Sequence, residues 1–339
     1  MPSSRVLLFT DPLSYQVTLH GAEVELFVAT KGEFRAELTQ INLHKLWMQR
    51  ADETLPRILQ SAVSTKRAPI VFLADANQTA MQHSGLEVSP GAIIVDGLGA
   101  THHHRSWGPC RWASMSLTPD ELAEAGTVIS GRELTVPSVT HLIRPAPALM
   151  GGLLSLHEKV AQLAKTAPAR LAHPEVARSL EQALIHLMIR CLTDRPVNIR
   201  AANRRHGAII ARFADLVVAS HGRPLYLTDI CVATGVSERT LRAYCHEHLG
   251  MGPVHYLWLR RMHLARAALI RADPGSTSVT SVATDHGFWE LGRFSVEYRT
   301  LFGESPSASL QRPPDRRRAD PSHRFPLEIR RFASSSSSA

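Results

Sequence analysis

Lysine is absent from the second half of the chain. The last is Lys165, in a sequence of 339 residues with a formal net charge of +8. Cysteine is scarce too: Cys110, Cys191, Cys231 and Cys245 form no Cys-x-x-Cys pair and no other metal-like spacing. Cys231 and Cys245 fall on apolar helix faces, which reads as small buried thiols. No stretch approaches the roughly 18–20 uninterrupted apolar residues that a membrane helix needs. The apolar run at residues 6–9 is cut off by Asp11 and Pro12, too soon for a signal peptide, so a cytoplasmic location is expected and no membrane partner. There is no P-loop, no Gly-rich dinucleotide turn, and no nucleophile spaced with a base partner. The chain is therefore expected not to be an enzyme, and to use no cofactor.

What is present is an unevenly placed positive charge. Residues 1–203 hold 19 Lys+Arg against 18 Asp+Glu, residues 204–312 hold 13 against 9, and residues 313–339 hold 6 against 3. The excess thus belongs to the C-terminal third, where the cations are all arginine. Arginine presents a planar five-donor fork that matches phosphate oxygens and guanine edges, so the bias points to nucleic acid; a solvated basic surface is the plainer alternative.

The pattern of apolar residues divides the chain. Strands are expected at residues 6–10, 24–29, 34–40, 70–73, 92–95 and 112–117, where Phe34, Ala36 and Leu38 alternate with polar neighbours. The period then lengthens. Thr118 is placed to cap a helix that opens with Pro119 and two acids. Helices are expected near 149–164 and 174–192, the second carrying Val176, Leu180, Leu184, Leu187, Met188 and Cys191 at helical spacing. They read as a packed hairpin, and the stripe on 174–192 as a surface for self-association within 149–193, or as packing inside its own domain. The class is α+β: a sensing and dimerisation domain over 1–193, a linker over 194–207 with no apolar periodicity, an all-α domain over 208–310, and a Pro-, Arg- and Ser-rich tail over 311–339 expected to be disordered.

Inside the all-α domain a pattern occurs twice. "ICVATGVSERTLRAYCHEHLG", which begins at Ile230, is echoed by "VATDHGFWELGRFSVEYRTLFG", which begins at Val282. In each, a glycine (Gly235, Gly287) precedes an apolar residue six places after the first (Val236, Phe288). In each, a second helix begins with an inward apolar residue (Leu241, Phe294), and eight places later another apolar residue precedes glycine. Each copy reads as a helix, a turn that favours left-handed backbone at glycine, and a second helix. Ser237 and Ser278 are placed to cap helices. The outer faces of the second helices carry Arg239, Arg242, Ala243 and His246 in one copy. In the other they carry Glu290, Leu291, Gly292, Arg293, Val296 and Glu297. A continuous helix over 253–271, about 27 Å long at 1.5 Å per residue, would help set the two second helices about one DNA turn, roughly 34 Å, apart.

The stretch from about 225 to 310 resembles the DNA-binding domain of the AraC/XylS transcription regulators. The residues that carry the resemblance are Leu227, Ile230, Gly235, Val236, Ser237, Arg239, Leu241, Leu249 and Gly250 in the first unit. "YLWLRRMHLARAALI" from Tyr256 resembles the connecting helix. Val279, Val282, Ala283, Gly287, Phe288, Phe294, Ser295, Tyr298, Phe302, Gly303, Ser305 and Pro306 carry it in the second unit. The resemblance implies two helix-turn-helix subdomains joined by a long helix, and binding to promoter double-stranded DNA, commonly to activate transcription. It further implies RNA polymerase as a partner, an unidentified small-molecule effector, and a homodimer. Its base-contacting positions are Arg239, Arg242, Ala243, His246, Glu290, Leu291, Gly292, Arg293 and Val296. Val296 replaces an arginine common in the family, and Leu291 and Gly292 replace polar residues. This helix is therefore expected to read a thymine methyl or mainly the backbone. The family layout places a sensing domain first, and a cupin-like barrel fits the strand-rich region.

Other features carry paired readings. "THHHRS" could supply only His102 and His104 to one metal, because adjacent strand residues face opposite ways. No acid follows before Asp120, so a ligand-pocket lining or a solvated loop is favoured and no metal site is expected. Trp107 and Trp112 could stack on an effector, with core packing favoured. Arg261 and Arg266 could contact phosphate, or pair with acids such as Asp229, Asp273 or Asp285. Glu290 could accept from cytosine, with capping of its own helix favoured. A cupin-type metal-dependent enzyme carrying a DNA-binding domain is the alternative to a regulator.

Overall fold

The computed structural model describes residues 2–19, 22–194, 198–201, 204–220 and 225–312. In chain order the N-terminal part comprises β1 (Ser3–Phe9), α1 (Pro12–Gln16), β2 (Ala22–Val28), β3 (Ala36–Asn42), β4 (Trp47–Glu53), β5 (Arg57–Val63), β6 (Ala68–Leu73), β7 (Met81–His83), β8 (Leu86–Val88), β9 (Ile93–Val95), β10 (Thr101–Arg105) and β11 (Cys110–Leu117). Next come α2 (Pro119–Ser130), β12 (His141–Arg144), α3 (Pro147–Thr166), α4 (Pro168–Leu171), α5 (Pro174–Thr193) and β13 (Asn198–Ala201). The rest is helical: α6 (Arg204–Ala219), α7 (Leu227–Thr234), α8 (Glu238–Leu249), α9 (Pro253–Arg271), α10 (Val279–Asp285), α11 (Leu291–Phe302) and α12 (Pro306–Leu310).

The strands form two antiparallel sheets, one ordered β1-β3-β4-β11-β6-β9-β12-β13 and the other β2-β5-β10-β7-β8. They face each other across a shared core in which Leu38 and Ala51 of the large sheet meet Leu26 and Leu59 of the small one. A polar cluster lies inside this core. Glu53, fully buried, accepts from Tyr15 Oη at 2.6 Å, Trp112 Nε1 at 2.8 Å and Arg57 Nε at 2.5 Å. An anion removed from water persists only when its lone pairs are filled in this way.

The outer face of the large sheet is covered by α2, α3 and α5, which bury Leu122, Leu153, Val160, Leu184 and Met188 against Met48, Phe72 and Met115. Thr118 caps α2 through a reciprocal box with Glu121, at 3.2 and 2.9 Å. Leu184 and Met188 are fully buried here. The stripe on α5 therefore packs within its own domain, which corrects its reading as a surface for self-association. Helical periodicity identifies an apolar face but not what covers it. Glu181, on the same face, accepts from the backbone N–H groups of Lys45 and Leu46 at 2.5 and 2.8 Å, tying α5 to the loop before β4.

Six strands lie over the stretches where they were expected, with ends shifted by a few residues. β4, β5, β7, β8, β10, β12 and β13 were not expected. Several of these carry charge or histidine inward, where single-sequence alternation breaks down. Within the stretch read as the linker, β13 pairs with β12 in the register Leu142 to Arg200, and α6 begins. The tail from 313 onward lies outside the described residues.

Candidate nucleic-acid interface

The first helix-turn-helix unit is α7 followed by α8. Gly235 ends α7 at φ +70°, and a Cβ there would meet nothing within 4 Å. The glycine is thus required for its left-handed backbone rather than for room. The Ser237 hydroxyl then accepts from the Thr240 N–H at 3.3 Å to start α8. Leu241, Cys245 and Leu249 face inward and are buried.

The second unit is α10 followed by α11. Ser278 caps α10 by accepting from Ser281 N–H at 3.0 Å, Gly287 turns the chain at φ +77°, and Phe294 and Tyr298 anchor α11 in the core. The rings of Phe288, Phe294, Tyr298 and Phe302 form a chain of tilted and edge-on contacts, with successive centroids 4.9, 5.5 and 4.6 Å apart. Between the units runs α9, as expected from the sequence, and both units share one core around Tyr256, Leu259, Met262 and Leu269.

All nine residues expected to face DNA are exposed: Arg239, Arg242, Ala243 and His246 on α8, and Glu290, Leu291, Gly292, Arg293 and Val296 at and along α11. Arg242 is paired with Glu238, and Arg293 with Glu297 at 2.8 Å. Both are i,i+4 contacts with an exposed arginine, where solvent screening keeps the pairing weak, which leaves the guanidinium groups available to a stronger partner. Glu290 occupies the N-cap of α11, yet its side chain makes no capping hydrogen bond. That corrects the capping reading, because the backbone there is not held at the angle a capping carboxylate needs. Trp289, 73% exposed beside it, was missed by sequence reasoning; a tryptophan two places after the turn glycine Gly287 was a visible signal.

The opposite side of this domain is docked on the small sheet. Arg260 of α9 donates to Glu25 of β2 at 3.1 and 2.9 Å. Arg266 binds Asp11 at 3.2 Å and Glu304 at 3.1 Å. His263 Nε2 donates to the Val28 carbonyl at 3.0 Å, and burial pushes its imidazole down to about 4. Arg261 lies over the Phe288 ring at 5.2 Å and reaches the Gly287 carbonyl. So the connecting helix spends Arg266 on the domain seam, with acids other than those expected from sequence, and its phosphate reading is not supported. At the other end of the seam, Arg105 donates to the Leu249 carbonyl at 2.8 Å and Gln82 to that of Glu247. Beside these contacts, burial takes His248 down to about 4.

The "THHHRS" stretch is strand β10, not a solvated loop, with His102 and His103 buried. Trp112 is core, as expected. Trp107 is not: it is 54% exposed, with the Arg105 guanidinium 4.0 Å above its ring. Between the domains lies a cleft of about 850 Å³ lined by Phe9, Val28, Phe34, Leu55, His263 and Phe302, with Arg35, Arg266 and several acids at its edge.

A family model described as a helix-turn-helix domain matches residues 230–312. The probable thc operon regulatory protein of Rhodococcus erythropolis is 32% identical over 164 residues, 48% of this chain and 49% of that protein. The XylDLEGF operon transcriptional activator 2 of Pseudomonas putida is 36% identical over 99 residues, 29% of this chain and 63% of that protein. Through this domain, the chain is similar to regulators of the AraC/XylS type.

The chain spans about half the length of the first relative and under two thirds of the second. A solved AraC-like transcriptional activator, CuxR, superposes with a TM-score of 0.40 at 15% identity, covering 78% of this chain and 96% of that one. Among the described residues, no helix is long and apolar enough to cross a membrane.

Proposed function

We propose that this chain is a sequence-specific regulator of transcription that binds double-stranded promoter DNA through the outer faces of α8 and α11. The observation that carries the reading is the pairing of two helices, α8 and α11, each with one buried apolar face and one exposed face, on a single shared core. Arg239 and Arg242 on the first would supply guanine or phosphate contacts, and Arg293 with Leu291 and Val296 on the second would supply phosphate and thymine-methyl contacts. The relatives are named as operon regulators and activators, which supports activation and, with it, RNA polymerase as a partner.

A small-molecule effector is part of this reading. The cleft between the sandwich and the helical domain has the volume of a small-molecule site and a lining that mixes apolar with charged side chains, and a ligand there would alter the seam held by His263 and Arg266. One chain supplies two recognition helices, enough for one half-site; a homodimer would hold two, making the second contact intramolecular. The test is selection of genomic DNA fragments on the purified full chain. Enrichment of one motif with two contacted segments about 10 base pairs apart is the expected result. Uniform recovery of fragments would refute the reading.

A further inference from the structure

Strand β10 carries its side chains to two different tasks. Arg105 faces α8, where it holds the Leu249 carbonyl at 2.8 Å. His102 and His104 face the other way, where both rings approach His83 of β7, with centroids 5.5 and 4.1 Å away. Asp96, from the segment between β9 and β10, completes the group: its Oδ1 is 2.7 Å from His83 Nε2 and 3.4 Å from His102 Nδ1.

We infer that His83, Asp96 and His102 form a binding site for a divalent first-row transition-metal ion. One ligand atom from each lies within 4.8 Å of the other two, and all three residues are buried. Ligands held at about 2.0–2.2 Å from zinc need to be no farther apart than roughly twice that distance, so small side-chain shifts suffice. Two imidazoles with one carboxylate is a donor set suited to zinc or ferrous iron.

Charge supports the assignment. Asp96 is 2% exposed, and no Lys or Arg pairs with it among the described residues. A buried carboxylate without a permanent cation is costly unless a metal or a protonated partner balances it. The surroundings also resemble an outer shell that fixes ligand orientation. Thr140 Oγ1 donates to Asp96 Oδ1 at 2.8 Å, and His104 Nδ1 sits 3.0 Å from His83 Nδ1. His102 Nε2, buried, finds no hydrogen-bond partner among the described residues. The sequence hid this site because its acid lies upstream of the His-x-His rather than after it.

A second cluster, His206, Glu247 and His248, also brings three donors within 4.8 Å of one another. Of its three residues only His248 is buried, whereas all three of the first trio are. The buried trio is therefore the site assigned. Its ligands sit on β7, in the segment between β9 and β10, and on β10; β7 and β10 hold the C-terminal end of α8 through Gln82 and Arg105. Occupancy would stiffen the seat of that helix, a consequence that rests on the DNA-binding reading; metal binding itself does not.

The test is equilibrium dialysis of the full chain against Zn2+, after chelation, with wild type, Asp96→Asn, His102→Ala and a Glu247→Gln, His206→Ala control. One zinc per chain is expected in wild type and in the control, with at least a tenfold loss of affinity in Asp96→Asn and His102→Ala. X-ray absorption on the wild-type complex is expected to show nitrogen and oxygen ligands including two imidazoles, a readout that needs no variant to fold. Less than stoichiometric zinc in wild type, loss in the control with retention in Asp96→Asn, or a spectrum with fewer than two imidazoles would each overturn the assignment.

Discussion

Arg260, on the helix joining the two helix-turn-helix units, grips Glu25 on the small sheet with Nε and Nη2 at 3.1 and 2.9 Å. Arg260 is buried and Glu25 about one-third exposed in its side chain. The pair locks the orientation of one domain on the other. Among the described residues, Glu25→Ala leaves the guanidinium with only the Val217 carbonyl, at 3.2 Å. Removing one partner of a buried, hydrogen-bonded charge pair costs about 2–5 kcal/mol, and partial exposure of Glu25 places this case near the low end. Faster proteolytic cleavage between the domains, with each domain still folded, is the expected outcome.

Leu184 belongs to the core between α5 and the large sheet and is fully buried. Leu184→Ala should therefore lower stability by about 2–5 kcal/mol, through lost burial and the cavity left behind. Chemical denaturation measures this directly. The same substitution at an exposed association surface would leave the denaturation midpoint almost unmoved while changing the mass in solution.

Acid should loosen the seam. His263 is neutral in the folded chain because burial holds it near 4, whereas an unfolded histidine titrates near 6.5. As pH falls through about 6.5 the unfolded chain takes up a proton that the folded chain refuses, so stability drops until about pH 4 and then levels off. Asp11 and Arg266 face the ring and oppose each other in effect. His248, also held near 4, adds a similar share. Urea titrations between pH 7 and 4 should show a shallower decline in His263→Gln, by up to roughly 1.4 kcal/mol per pH unit. Parallel curves for the two proteins would count against the assignment.

Much of the helical domain was legible because its rules are local. Glycine at a left-handed turn, serine at an N-cap and inward residues at helical spacing fix each unit without reference to distant chain. The same locality exposed Arg239 and Arg242 as outward residues. The sandwich was less legible. Glu53 and Arg57 look like surface residues in sequence but pair with each other inside the core at 2.5 Å. The histidines of β10 look like a loop until Asp96 and His83 are brought across. Likewise Arg266 cannot be assigned from α9 alone, since its partners Asp11 and Glu304 lie far away in sequence.

The fragment 203–310 contains both units and α9, and it should fold as helix and bind DNA. Its core in the whole chain also includes Phe27 and Ile58 of the small sheet, so the fragment should be less stable than the same domain in full-length protein. Circular dichroism against temperature checks this. Binding should weaken steeply with salt, with a slope of about 0.9 per phosphate contacted.

The most direct test of the central claim is a fluorescence-anisotropy titration of the full chain on its selected DNA and on a scrambled duplex, with wild type, Arg239→Ala and Arg242→Ala. If α8 reads bases, wild type prefers the selected site. A variant that loses a guanine contact then binds it about 1–3 kcal/mol more weakly, with preference relaxed at one base pair. A variant that loses a phosphate contact weakens on both duplexes and shows a salt slope lower by about 1. Equal binding of both duplexes by wild type, or wild-type behaviour from both variants, would contradict the account.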